Sequence, residues 1–321
     1  SGTTISWKSS NPSVLSNEGK VTRPKKGAAD EEVTLKGTVK MGDYAKARKF
    51  AFVVLAESEM GPTKEFALDQ VELLDDYYLT AQNSDIEFLK KFDNDRLLSR
   101  FRETAGLDTK KIAPYGGWED GWLGGHSVGH YLTAIAQAVK ATGNADLKEK
   151  SKQLIKGLAE CQNKLGTGFI FGAKIETEGY VEKQFDILEG KTTGKTWVPW
   201  YNMHKMLTGL VDTYKYTGNK QALEVAKKLG DWIYNRVSKW DAGTQGRVLG
   251  TEYGGMNDCL YELYLCTRDS KHLEAAHKFD EPNLYKTVAK GGKNCLNGKH
   301  ANTTIPKFLG ALKRYVVLEQ T

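Results

Sequence analysis

Apolar and polar positions alternate near the start of this chain. Val33, Leu35, Val39 and Met41 interleave with Thr34, Lys36, Thr38 and Lys40, a period of two that predicts a strand. Gly42-Asp43 supplies turn chemistry, and Lys49 to Leu55 reads as the returning strand. Ser9-Ser10-Asn11-Pro12 and Asn17-Glu18-Gly19 mark earlier turns. Residues 56–63 read as a linker. Beyond them the period becomes helical. Val128, Leu132, Ile135 and Val139 recur on one face, and Leu223, Ala226, Leu229, Ile233 and Val237 on another. Two modules are therefore expected, a small β unit over 1–57 and a helical one over 58–321.

A weak repeat runs through the helical part. Ala138 to Leu147, Thr213 to Leu223 and Leu263 to Leu273 share a Thr-Gly-Asn or Thr-Arg-Asp core, and Thr142, Thr217 and Thr267 lie 75 and 50 residues apart. Glycine suits the left-handed residue that ends a helix, and the following Asn or Asp suits the cap of the next. Helical hairpins repeated in this way predict a toroid or solenoid, because a single repeat cannot bury its own face.

Four polar, aromatic and glycine-rich clusters each precede the first helix of a hairpin. They are Gly116 to His130, Trp197 to His204, Glu252 to Asp258, and His300 to Asn302. Four of the six histidines and four of the seven tryptophans fall in them. In a ring of hairpins these helix starts gather at one rim, so the four clusters are expected to line a common mouth.

Composition narrows the function classes. The 321 residues are 40% hydrophobic and 10% aromatic, enough for a real core. Net charge is +6, from 46 Lys/Arg against 40 Asp/Glu. No basic stripe interleaved with aromatics appears, so nucleic acid is not an expected partner. No apolar run approaches the roughly 18–20 residues of a membrane span. Of the four cysteines, Cys259 and Cys266 share an expected helix. Seven residues at about 1.5 Å rise put their Cα atoms roughly 10 Å apart, too far for a disulfide. No Cys-x-x-Cys pair points to a structural zinc knot, and buried free thiols are expected.

The clusters, in order, resemble the glycoside hydrolase family 127 and family 146 group, the β-L-arabinofuranosidase-like proteins. The stretches that fit are Asp93 to Arg102, Pro114 to Glu119, the Gly-His-x-x-Gly-His of 125–130, Leu158 to Gln162, Tyr201 to His204, Gly254 to Asn257, and His300 to Pro306. The likeness covers roughly residues 64–321. Ile5 to Val14, Gly19 to Pro24 and the final hairpin of the first module resemble the bacterial immunoglobulin-like domains of secreted proteins. The resemblance implies a mainly α fold, an incomplete (α/α)6 barrel preceded by a small immunoglobulin-like β-sandwich. It also implies a secreted or cell-surface bacterial enzyme that releases L-arabinofuranose, with retention, from plant-type, arabinose-containing glycans. Complete relatives use a zinc-bound cysteine as nucleophile. The metal is held by a Glu-x-Cys element and a later Cys pair, C-terminal to the His-Ala-Asn-Thr segment. None of the four cysteines here stands in such a context, so this chain is expected to be part of a larger enzyme, without nucleophile or zinc ligands and inactive by itself.

Individual residues leave alternatives open. His126 and His130 share a helix face, but Ser127 stands where His-Glu-x-x-His would need a glutamate. They read as sugar contacts or structural histidines, and no metal site is assigned. Glycines 124, 125 and 129 would let a ligand or a backbone approach closely. His204 opens a helix, where the dipole disfavours a cation. A neutral imidazole there can donate to and accept from a hydroxyl. Trp118, Trp200 and Tyr201 can stack on a sugar or belong to a core. Asn257 and His300 complete the expected substrate contacts. Glu119 can fix a loop or bind a hydroxyl. Glycoside hydrolysis needs a proton donor. On sequence alone Glu252 is the nominee, whereas the resemblance places the acid elsewhere. A non-catalytic carbohydrate-binding or scaffold protein, or another (α/α)6 sugar enzyme, are the alternative readings.

Overall fold

A computed structural model describes residues 2–25, 27–57, 65–119, 121–173, 180–291 and 294–319. It separates into two compact units, Ser1–Phe66 and Ala67–Thr321. Most of the expected linker, 58–63, lies outside the described residues.

The first unit is one antiparallel sheet of three strands, β1 (Thr3–Ser9), β2 (Glu31–Met41) and β3 (Tyr44–Val54), in the order β1-β2-β3. Met41 pairs with Tyr44 across the two-residue turn. Gly42 takes the positive φ of 58° that a tight hairpin demands at its first turn position. Leu15, Val33 and Val54 form its small core. The second sheet of a full sandwich is reduced, among the described residues, to a single bridge between Leu15 and Val21.

The second unit is helical. Its helices are α1 (Asp76–Lys90), α2 (Asn94–Thr104), α3 (His126–Thr142), α4 (Ala145–Leu165), α5 (Lys183–Leu188), α6 (Pro199–Thr217), α7 (Lys220–Val237), α8 (Ala242–Leu249), α9 (Met256–Thr267), α10 (Ser270–His277), α11 (Pro282–Ala289) and α12 (Ala301–Glu319). None among the described residues is long and apolar enough to cross a membrane. Helices α3, α6, α9 and α12 lie side by side in one layer, each against the next, and α4, α7 and α10 pack behind them.

The repeated turns do what their residues predict. Gly143 and Gly218 end α3 and α6 at φ 70° and 72°, and Arg268 takes the same left-handed state at 56°. Asn144, Asn219 and Asp269 then cap α4, α7 and α10 by accepting from backbone amides. Thr142, Thr217 and Thr267 each donate to the carbonyl four residues earlier. Each hairpin is thus closed by local chemistry.

Packing sets how close the layers come. A Cβ on Gly129 would lie 2.1 Å from the Lys205 carbonyl oxygen, and one on Gly209 would lie 2.5 Å from that of Gly129. Helices α3 and α6 therefore touch backbone to backbone. The approach expected at Gly124 and Gly129 is by protein backbone, since Gly172 and Lys205 occupy the space. Behind α6 an aromatic cluster joins the layers. Trp200 stacks against Phe185, Phe279, Trp240 and Trp232, at 4.9, 5.1, 5.5 and 6.1 Å between ring centroids. Burying a large apolar side chain contributes about 1.5–3 kcal/mol, so this cluster is a main anchor of the unit. Arg236 on α7 binds Glu182, Asp186 and Glu189 at the ends and body of α5, which ties α5 to α7.

Candidate functional site

The first cluster is organised by Glu119. The residue that precedes helix α3 in the cap position is Gly125, which has no side chain to cap it. The Glu119 carboxylate takes that place, accepting from the amides of Gly125 at 2.6 Å and Ser127 at 2.8 Å. Burial alone would raise its pKa. The His126 contact and the two amides outweigh burial and hold it below the usual carboxylate range. Of the two roles open to Glu119, it fixes the loop.

His126 follows from this. Its Nδ1 lies 2.7 Å from the Leu123 carbonyl and 3.1 Å from Glu119 Oε1. Two acceptors around one nitrogen require it to carry the proton, leaving Nε2 for other partners. Burial acts to lower the ring's pKa, but Glu119 and the Leu123 carbonyl prevail and raise it. His130, one turn on, has its ring 6.0 Å from that of His126. Loss of water around its ring, then Lys205 and His126, push its pKa down to about 4.

The second cluster divides. Successive helical residues point about 100° apart, so Trp200 and Tyr201 cannot serve the same face. Trp200 is fully buried in the aromatic cluster, which corrects its expected role in ligand contact. Tyr201 faces outward, 6.2 Å from the His126 ring. His204 is 8% exposed, and its Nδ1 accepts from the Gly255 amide at 3.1 Å. Burial, then Lys205 and His130, place its pKa well below the ordinary value. The imidazole is neutral, as expected, but it pins the third cluster to α6 instead of facing a ligand.

Asn257 is likewise internal. Its side-chain amide donates to Asp280 at 3.2 Å and to the Tyr285 hydroxyl at 3.2 Å. It packs where Gly310 leaves room on α12. Asp280 also accepts from Tyr261 at 2.6 Å and Arg314 at 2.9 Å. The sequence placed Asn257 at a ligand. The structure uses it to join α9 to α12, because a buried amide must find partners.

Residues from all four clusters meet, although His130, an expected substrate contact, is not among them. A cavity of about 260 Å³ is lined by Trp118, Leu123 and His126 from the first cluster and by Trp197, Val198 and Tyr201 from the second. Glu252 from the third and His300 and Asn302 from the fourth complete it. Trp118 and Trp197 stand 69% and 50% exposed, open faces at the mouth. Asn302 donates to Glu252 Oε1 at 3.4 Å. A larger groove, about 890 Å³, runs between residues 69–87 and the end of α3, but neither an aromatic ring nor a histidine lines it.

Sequence reasoning passed over Lys205. Four residues after Tyr201, it shares that helix face, and its Nζ lies 4.8 Å from the ring centroid. Burial lowers its pKa. The i, i+4 spacing was the available signal.

Cys161 and Cys259 do not suit the zinc-bound cysteine that the resemblance describes for complete relatives. Cys161, Cys259, Cys266 and Cys295 are all free thiols. Burial pushes Cys161 up to about 11 and Cys259 well above its ordinary value, so neither favours the thiolate that a metal needs. Among the described residues, the one group of three or more candidate ligands, Asp231, Asp269 and His272, contains no cysteine and belongs to α7 and α10.

A family model described as the β-L-arabinofuranosidase GH127 catalytic domain matches residues 70–321. The chain belongs to the GH127 family. A second model, an atrophied bacterial Ig domain, matches residues 1–57. Among solved structures, a GH127 β-L-arabinofuranosidase from Geobacillus stearothermophilus T6 is 16% identical, with a TM-score of 0.41, over 71% of this chain and 34% of that one. The GH127 β-arabinofuranosidase BT3674 is 16% identical, with a TM-score of 0.45, over 66% of this chain and 33% of that one. The chain thus spans about a third of the length of these structures. No curated protein matches.

Proposed function

We propose that this GH127 chain forms the sugar-holding cup of a secreted or cell-surface bacterial glycoside hydrolase that releases L-arabinofuranose, with retention, from plant-type glycans. The observation that carries the reading is the meeting of four sequence-distant clusters in one cavity. Trp118, Trp197 and Tyr201 offer faces for the C–H side of a sugar ring. His126 Nε2, Glu252, His300 and Asn302 offer hydrogen bonds to hydroxyls. At about 260 Å³ the cavity is just below the roughly 300 Å³ at which ligand pockets begin, which favours one terminal sugar over a chain. The atrophied bacterial Ig unit supports the extracellular setting.

Glu252 is assigned to hydroxyl binding. A two-carboxylate mechanism needs a partner carboxylate free to react, and Glu119 is committed to the α3 amides and His126. The reading gives the nucleophile and zinc-ligand roles to neither Cys161 nor Cys259, whose burial disfavours the thiolate.

Calorimetric titration with β-L-arabinofuranosyl oligosaccharides tests the cup. Binding is expected, weakened at least about tenfold by Trp118→Ala or Tyr201→Ala, the loss of one stacking face. No heat with any arabinose-containing glycan would refute it. Turnover of a chromogenic β-L-arabinofuranoside by this chain with added zinc would refute the expectation that it is inactive by itself. Binding without turnover leaves the chain a carbohydrate-binding unit, a reading the burial of Cys161 and Cys259 also favours.

A further inference from the structure

The outer helical layer holds an arrangement that neither the cavity nor the fold accounts for. His272, on the first turn of α10, is 1% exposed. Its Nδ1 lies 2.8 Å from the Thr267 hydroxyl oxygen. That hydroxyl donates to the Leu263 carbonyl at 3.0 Å, so its oxygen accepts from Nδ1–H, and Nε2 is left with a lone pair. Nε2 faces Asp231 Oδ1 on α7 at 3.9 Å. Among the described residues neither atom makes a well-formed hydrogen bond, although both atoms are shut off from solvent; the Lys227 carbonyl approaches the ring, and Lys271 Nζ stands 3.7 Å from the same Asp231 oxygen. Two acceptors facing one another at such a site are unfavourable without positive charge, and the charge at hand is Lys271, a half-exposed lysine beside Asp231 that does not reach between the two atoms within hydrogen-bond distance. Asp269 brings a third donor, and the three ligand atoms lie within 4.8 Å of one another.

We propose that Asp231, Asp269 and His272 bind a divalent transition-metal ion, zinc in the first instance, that clasps α7 to the start of α10. An imidazole with two carboxylates suits zinc, whereas calcium and magnesium prefer all-oxygen sets. Zinc bonds of about 2.0–2.2 Å in a tetrahedron need ligand atoms roughly 3.4 Å apart. Side-chain rotation of Asp231, which is half exposed, closes the difference. Asp269 caps α10 through one oxygen, on the Lys271 amide, and a carboxylate has a second to give. Water completes the fourth position. Two competitors stand nearby. Lys271 Nζ is 3.7 Å from Asp231 Oδ1, but it is half exposed and free to leave. The Lys227 carbonyl, one turn before Asp231, favours a proton on the ring. Zinc must displace that proton, so binding releases it.

Chelator-treated 321-residue chain, titrated with zinc chloride by calorimetry and with cobalt by visible absorption, tests the site. One strong site is expected, with a rise in Tm on zinc addition. Asp231→Asn and Asp269→Asn should each weaken binding at least about tenfold, in keeping with the loss seen when metal-site partners are removed. Both variants should fold, since Asn keeps the shape of the half-exposed Asp231 and also caps a helix at position 269. Absence of zinc binding overturns the proposal, and so does binding that both variants leave unchanged. Neither outcome touches the sugar cup, which lies on other elements.

Discussion

Asp258 offers a sharp test of the electrostatics among the packed helices α6, α9 and α12. It stands in the first turn of α9, on a face that also carries Glu262 and looks toward Asp212 of α6 and Lys313 of α12. The two nearby lysines are held elsewhere, Lys215 on Glu262 at 2.7 Å and Lys313 on the other oxygen of the same carboxylate. Burial is the largest influence on Asp258, followed by attraction to Lys313 and repulsion by Glu262, and the result is a pKa raised from 3.8 to about 6. About two units at 1.36 kcal/mol each make ionised Asp258 a cost of up to about 3 kcal/mol in the folded state. The sign follows from proton counting. Between about pH 4 and 6 the folded chain binds more protons here than the unfolded chain, so this group's contribution to stability falls as pH rises. Below that window both states are neutral and the cost vanishes. Asp258→Asn keeps the shape and removes the charge. Urea unfolding of both proteins should show the variant more stable by up to about 3 kcal/mol at pH 8, and nearly equal to its parent at pH 4. A variant less stable at pH 8, or a difference that does not change between pH 4 and 8, would refute the reasoning.

Two further outcomes bear on the site. Glu119→Gln should lower the His126 pKa in a proton NMR titration, since Glu119 is a main cause of its elevation. Glu119, with its lowered pKa, stabilises above about 4.5 and loses this as pH falls. His126, with its raised pKa, stabilises below about 6.5 and loses this as pH rises. The pair's contribution should therefore peak between those values and flatten in the variant, and an unmoved His126 would sink the assignment. Gly129→Ala places a Cβ 2.1 Å from a backbone oxygen of α6, so it should cost about 3 kcal/mol or more, at or above the usual range for overpacking. A denaturation midpoint equal to that of the parent would count against the close contact of α3 and α6.

Much of this protein was legible along the chain because the decisive forces are local. The β alternation of Val33 to Met41, the Gly42 turn and the Thr-Gly-Asn hairpin closures all act within four residues, the range over which backbone hydrogen bonds and caps operate. The position of each cluster at a helix start, and hence their meeting at one rim, followed from the hairpin repeat. Local rules do not fix the rotation of a helix about its own axis or the depth at which a side chain ends. Those depend on neighbours distant in sequence. Trp200 went inward because Phe185, Trp232, Trp240 and Phe279 form its pocket, and Tyr201 was thereby turned to the cavity. Asn257 was drawn to α12 by the space at Gly310. His272 and Asp231, 41 residues apart, met only because α10 packs on α7. The sequence determined which segments coil, where they turn and which residues stand at the rim, whereas packing between helices decided which of those residues face a ligand and which are held in the interior.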